Sequence, residues 1–280
     1  MSADAPLDGQ VALVTGAGRG QGRAHAVGLA RDGADIVICD TDTDIANVPY
    51  SLSSAADLKQ TAALVEATGR NCLAVTCDVR DSQAVNGLVQ QAIDRYQRLD
   101  ILVANAGIVS FGRVQDLTDE QWNDLIAVNL TGVFHVMRAV LPHMISRQYG
   151  RIVATASMAA RGGTANAAHY VASKWGVIGL VKSLAREVAG DGITVNAVCP
   201  SHVDTVMIHN QPTYRLFRPD LADPALSDVI DGFSHSHQIP VPWVPPEAVT
   251  DAVRYIVAPS AKYMTGSTLD VACGNTALMP

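Results

Sequence analysis

The sequence is short of what several protein classes require. Basic residues are outnumbered, with Lys and Arg totalling 20 against 27 Asp and Glu, a net charge of −7. A nucleic-acid binder concentrates positive charge on one surface, and an anionic membrane face attracts the same cations. No nucleic-acid and no membrane partner is therefore expected. No apolar run reaches the roughly 18 residues that a membrane helix needs, and the opening MSADAPLDGQ has no cationic segment leading into an apolar one. A cytoplasmic location is the expectation. Cysteines are few and odd in number: Cys39, Cys72, Cys77, Cys199 and Cys273. Without a C-x-x-C pair or zinc-ligand spacing they read as small buried hydrophobes in a reducing compartment, and no metal site is expected. Charged residues make up only 17%, too few for a disordered chain. The 22 glycines carry no G-X-Y period, which excludes collagen.

What is present is a rhythm. Short β-branched runs at Val11–Thr15, Asp35–Cys39, Cys72–Thr76, Ile101–Ala104, Arg151–Thr155, Thr194–Val198 and Thr268–Val271 alternate with helical patterns. The helical stretches are Gly20–Arg31, Ala55–Thr68, Ser82–Tyr96, Asp119–Ile145, Tyr170–Ala189 and Pro246–Ile256. Unbroken apolar runs predict strands covered on both faces. Strand–helix alternation with short connections predicts parallel strands and right-handed crossovers. The expected fold is α/β: a doubly wound, Rossmann-type, seven-stranded parallel sheet in one domain over 1–280. Thr118-Asp119-Glu120-Gln121 fits a capping box opening the fourth helix.

Two segments interrupt the rhythm. An insertion at about 41–56 separates the second strand from its helix, where about 2–6 residues usually suffice. A proline-rich stretch at about 204–245, with Tyr214, Phe217, Phe233 and Trp243, is far longer than a usual connection and reads as a lid over a substrate pocket.

Three glycines, Gly16, Gly20 and Gly22, sit between the first strand and the first helix in TGAGRGQG. Side chains there would hold the backbone away from a pyrophosphate, and the helix start beyond them offers free N–H groups to an anion. The G-x-x-x-G-x-G spacing is neither G-x-G-x-x-G nor a Walker A loop. Asp40 ends the second strand, 18 residues after Gly22. A carboxylate there accepts hydrogen bonds from both hydroxyls of an adenosine ribose and repels a 2′-phosphate, which favours NAD over NADP. Arg19 pulls the other way.

Ser157 follows the fifth strand, Tyr170 lies 13 residues later, and Lys174 is four beyond that, on the same helix face. A free phenol has a pKa near 10, so a tyrosine base needs a neighbouring cation to favour phenolate. Lys174 is within reach of that role, and Ser157 could hold a substrate oxygen.

In these features the chain resembles the short-chain dehydrogenase/reductase family. The likeness runs from about residue 8 to 275, through TGAGRGQG, Asp40, Cys77-Asp78-Val79, Asn105-Ala106-Gly107, Asn129 in VNLTGVF, Ser157, Tyr170-Val171-Ala172-Ser173-Lys174 and Cys199-Pro200. The resemblance implies Tyr170 as general acid/base, Ser157 orienting the carbonyl or carbinol oxygen, and Lys174 lowering the Tyr170 pKa while holding the nicotinamide ribose. It implies that Asn129 anchors a water through which the proton leaves. Cofactor contacts follow likewise: Gly16, Arg19, Gly20, Gln21 and Gly22 at the phosphates, and Asp40 at the ribose. Asp78 and Val79 would meet the adenine, and Asn105, Ala106 and Gly107 would stand behind the fourth strand. Thr155 would abut the nicotinamide, with Pro200, Val203 and Thr205 at its carboxamide. Two places depart from the family pattern. Pro200-Ser201 replaces the usual Pro-Gly, and the end of the last strand lacks the common Asp-Gly-Gly.

RGQGRAHAV at Arg19–Val27 and the insertion with Val48-Pro49-Tyr50 and Asp57-Leu58 are similar to the mycofactocin-associated, carveol-dehydrogenase-like subgroup of mycobacteria and relatives. That likeness implies a trapped NAD recycled by an external redox partner (mycofactocin). It also implies a terpenoid or alicyclic secondary alcohol, or its ketone, as substrate. Family members are commonly homotetramers built through the Asp119–Ile145 and Tyr170–Ala189 helices and through the C-terminal segment. Val206, Met207, Ile208, Tyr214, Leu216 and Phe217 predict an apolar pocket with few polar groups, and His235-Ser236-His237 reads as a solvated loop. A sugar-nucleotide epimerase and a non-catalytic NAD-binding redox sensor are the alternatives. Epimerase chains are normally longer beyond the seventh strand, and a sensor predicts erosion of the tetrad.

Overall fold

All seven apolar runs form strands of one parallel sheet. In the computed structural model, which describes residues 5–278, they are β1 (Val11–Thr15), β2 (Asp35–Asp40), β3 (Cys72–Thr76), β4 (Ile101–Ala104), β5 (Gly150–Thr155), β6 (Ile193–Pro200) and β7 (Thr268–Val271). Residues 1–4 of the opening segment lie outside the described range. The spatial order is β3-β2-β1-β4-β5-β6-β7, parallel throughout. Parallel neighbours need crossovers, which helices supply on both faces. They are α1 (Gly20–Arg31), α2 (Ala55–Glu66), α3 (Ser82–Tyr96), α4 (Asp119–Ile126), α5 (Val133–Arg147), α6 (Ala168–Val188), α7 (Gln211–Phe217), α8 (Leu226–His235) and α9 (Pro246–Val257).

Alternation along each strand feeds two cores. Val11 and Leu13 of β1 join Leu88 of α3, Val136 of α5 and Val177 of α6 on one face. Ala12 and Val14 point the other way, among Leu29 of α1, Val65 of α2 and Val253 of α9. Both faces being dry, the central strands read as continuous apolar runs. The edge strands β3 and β7 depart from the expected two-sided cover: each is largely half-buried, because an edge strand has a neighbour on one side only.

The stretch Asp119–Ile145, expected as one helix, is α4 and α5 joined by a six-residue π-helical segment, Ala127–Gly132. The capping box forms as expected: Gln121 N–H donates to Thr118 Oγ1 at 3.2 Å, and Thr118 N–H to Gln121 Oε1 at 3.0 Å. The joined helix is long and apolar enough to cross a membrane, yet Val136, Met137, Val140 and Met144 of its apolar stripe are buried in the core.

Neither interrupting segment is loose. The insertion is anchored by Ile45, which is buried, and by Val48 and Leu52, which pack on the first core; it ends at the Ser54–Asp57 capping box of α2. The stretch 204–245 contains α7 and α8. Its base is pinned by a Val203–Val244 bridge and by Gln238 and Ile239 N–H groups donating to the Cys273 carbonyl at 2.9 and 3.0 Å.

Candidate active site

The strand order reverses between β1 and β4, and a crevice opens at such a switch point, beyond the strand ends. Two adjoining cavities of about 350 and 380 Å³ lie there, sharing Gln21, Asn105, Gly107, Thr205 and Met207.

The first is floored by the glycine loop. Gly16 and Gly20 have φ of +65° and +56°, the left-handed region that only glycine enters cheaply. A Cβ on Gly22 would overlap the Gly16 carbonyl and Asn105 Nδ2. No side chain caps α1, so its first amides face the cavity unpaired by a cap. Asn105 fixes the loop from beneath: its N–H donates to Thr15 Oγ1 at 3.0 Å, its Nδ2 donates to the Thr15 carbonyl at 3.1 Å, and its Oδ1 accepts from Thr155 at 3.3 Å. Asp40 accepts from the Gly18 and Thr41 amides at 2.8 and 2.9 Å; burial raises its carboxyl, against the lowering effect of those bonds. Arg19, the one residue that argued for NADP, lines this cavity with its guanidinium bonded to the Ser51 carbonyl of the insertion. Asp78 and Val79 line the far end. Burial alone would raise the Asp78 carboxyl, but its bidentate pairing with Arg80 outweighs that and leaves it lowered.

The insertion crosses this cavity. Tyr50 lines it and accepts a hydrogen bond from Val109 N–H at 3.1 Å, Asn47 Nδ2 donates to Asp124 at 2.8 Å, and Ser53 sits beside Asp40. Tyr50 and Cys77 belong to stretches that carry the resemblance, without an assigned contact, whereas nothing in the spacing of Ile45 and Ser53 marks them. Arg23 and Thr61 brace the loop from outside, both donating to the Gly18 carbonyl.

The second cavity holds Ser157, Tyr170 and Lys174 together with Thr155, Pro200, Val203 and Thr205. Lys174 Nζ donates to the Thr155 carbonyl at 2.8 Å and lies 5.6 Å from the centre of the Tyr170 ring. Burial lowers the lysine to about 8. Burial also raises the Tyr170 phenol, and the group that opposes this is Ser157, through a hydrogen bond. Lys174 is thus paired with a carbonyl beside the Tyr170 ring, and desolvation is the leading influence on the phenol. Asn129 lines neither cavity. Fully buried in the π segment, it accepts from Ile108 N–H at 2.8 Å and donates to the Ile108 carbonyl at 2.9 Å, fixing the chain after β4.

Residues 10–215 match the short chain dehydrogenase family. The chain belongs to this family. It is 42% identical to a (−)-trans-carveol dehydrogenase of Rhodococcus erythropolis over 274 residues, 97% of this chain and 99% of that one. The crystal structure of a carveol dehydrogenase from Mycobacterium avium in complex with NAD superposes with a TM-score of 0.95 at 41% identity, covering 98% and 99% of the two chains. An NAD+-bound xylitol dehydrogenase superposes at 0.86, with 29% identity over 96% and 99%.

In this family member the pocket is less uniformly apolar than the sequence predicted. Met207, Ile208, Leu216 and Phe217 line the second cavity as expected, whereas Val206 lines the first, and Tyr214 faces His209, with 3.2 Å between its hydroxyl and Nδ1. The reading of His235-Ser236-His237 as a solvated loop is corrected. His237 is buried, Ser236 lines the cavity, and only His235 lies on the exposed side. The cause is the aromatic cluster of Phe217, Phe233 and Trp243, which draws the turn after α8 inward.

Proposed function

We propose that this chain is an NAD-dependent dehydrogenase that interconverts a secondary alcohol, terpenoid or alicyclic, and its ketone, with Tyr170 as general acid/base. The observation that carries this is the meeting of Ser157, Tyr170 and Lys174 at the wall of a cavity that adjoins the glycine cradle. The cradle suits a dinucleotide. Its glycines leave room for a pyrophosphate, α1 presents free amides, and Asp40 stands where a ribose diol would arrive. Bound nicotinamide supplies the hydride acceptor or donor.

The chain's own residues do the rest. Ser157 holds the substrate oxygen. In the oxidative direction Tyr170 takes the hydroxyl proton as the carbinol hydride departs; in reduction it returns that proton to the carbonyl oxygen. Lys174 holds the ribose and keeps positive charge beside the phenol, while Asn129 fixes the backbone behind them. Replacing Tyr170 with Phe is expected to lower kcat by about 10²–10⁴-fold with cofactor binding retained, measured by single turnover and by cofactor titration. Undiminished turnover would remove Tyr170 from the chemistry.

The crossing insertion supports a further reading, that NAD is retained and reoxidised in place by an external redox carrier such as mycofactocin. Trp122, Phe134, Ile145 and Trp175 stand exposed on the α4–α6 helices, which supports a homotetramer; sedimentation velocity measures it.

A further inference from the structure

His25 and His169 are buried and His202 half-buried, each with a ring nitrogen that has no partner among the described residues, and they differ in what that nitrogen meets. Nε2 of His25 and Nδ1 of His169 are sealed among packed side chains. His202 is different. It lines the second cavity, its Nε2 has no protein partner among the described residues, and that atom is not among the sealed ones. Phe217 and Phe233 meet its ring edge-on, at centroid distances of 5.6 and 4.9 Å, and hold its plane.

The hydrogen-bond chain fixes which nitrogen carries the proton. Ser236 Oγ is 2.6 Å from the Phe233 carbonyl and 3.2 Å from His202 Nδ1. A carbonyl only accepts, so the serine proton goes there, and His202 must donate Nδ1–H to Ser236. Burial, with His237 beside it, lowers the His202 pKa to about 4, so the ring is neutral and Nε2 is a bare acceptor. Ser201, on the same wall, repeats the polarity. Its Oγ lies 2.6 Å from His237 Nε2, while His237 Nδ1 lies 2.6 Å from the Val241 carbonyl. With its Nδ1–H donated to that carbonyl, His237 presents Nε2 as an acceptor, and Ser201 gives its proton there, away from the cavity. His202 Nε2 and Ser201 Oγ thus stand together at the end of β6 as acceptors.

We infer that the substrate carries a second hydrogen-bond donor, a hydroxyl in addition to the reacting carbinol or carbonyl, and that His202 Nε2 and Ser201 Oγ receive it. The substrate class is thus a hydroxylated alicyclic alcohol or ketone, with the reacting carbon toward Tyr170 and the second hydroxyl toward β6. Its remaining faces meet Val109, Phe111, Leu216 and Phe217. The inference rests on the reaction proposed above, and a buried acceptor left unpaired by a mono-alcohol is what creates the selectivity.

The test compares cyclohexanol with the 1,2-, 1,3- and 1,4-cyclohexanediols on the NAD-loaded protein, by turnover with an artificial electron acceptor and, separately, by calorimetric binding. At least one diol is expected to exceed the mono-alcohol by about tenfold or more in both kcat/KM and affinity. In His202→Phe, which keeps the aromatic cluster but has no acceptor, that ratio is expected to fall toward one. His202→Gln, which keeps an acceptor, is expected to restore part of it. Equal binding of mono-alcohol and every diol by the wild type overturns the inference, as does a diol preference that survives in His202→Phe. A diol preference in binding without turnover of any alcohol would leave the second-hydroxyl site standing and overturn the dehydrogenase reading instead.

Discussion

Cys273 has φ of +50°, in the region where a side chain crowds its own backbone, and the family commonly has glycine in this neighbourhood. Its carbonyl is the anchor for Gln238 and Ile239, so the strained conformation is held by what it supports. Cys273→Gly is expected to raise stability by about 1 kcal/mol, read as a higher urea midpoint with an unchanged slope. A lower midpoint would mean that the thiol's packing outweighs the backbone strain. Asp40 and Arg19 show the same economy of position: one acid is fixed by two amides in the crevice, and the cation that could have contradicted it is occupied with Ser51.

At the scale of elements, α1 and α9 pack closely through His25, whose Nδ1 lies 2.8 Å from Thr250 Oγ1. Burial lowers this imidazole from 6.5 to about 3. Below pH 6.5 the unfolded chain binds a proton here that the folded chain refuses. Stability is therefore whole above that pH and is lost progressively as pH falls toward 3. The limiting slope is about 1.4 kcal/mol per pH unit. Denaturant midpoints at pH 7 and pH 5 measure it, and His25→Phe is expected to flatten the dependence; an equal slope in the variant would place the acid sensitivity elsewhere. The strands were legible because two-sided burial leaves unbroken apolar letters, and β1, β3, β4 and β7 lie at the expected bounds. The split of α4 from α5 was not, because a π segment changes hydrogen bonding without changing composition. Nor were α7 and α8, which lie between prolines. The glycine cradle and the Ser157, Tyr170 and Lys174 set could be read from spacing. The His202–Ser236 wall could not, since polar letters in a proline-rich stretch give no sign of the aromatic cluster that buries them.

At the scale of the molecule, the insertion is a strap, held at Val109 by Tyr50, at Asp124 by Asn47 and at Arg19 by Ser51. Protein purified without added NAD is expected to release NAD on denaturation. Tyr50→Phe, which loses the tie to Val109, is expected to speed cofactor loss by about tenfold, the equivalent of one hydrogen bond, in a stopped-flow exchange measurement. An unchanged rate would assign retention to the other ties. Thr205 and Met207 belong to the walls of both chambers. Whatever a guest in one chamber does to settle that shared partition, it does on behalf of the other, and thermodynamic reciprocity returns the favour in equal measure. An alcohol that tightens the grip on the dinucleotide must itself be gripped more tightly once the dinucleotide is in residence. Two guests coupled through that partition steady one another to the same extent, whichever enters first.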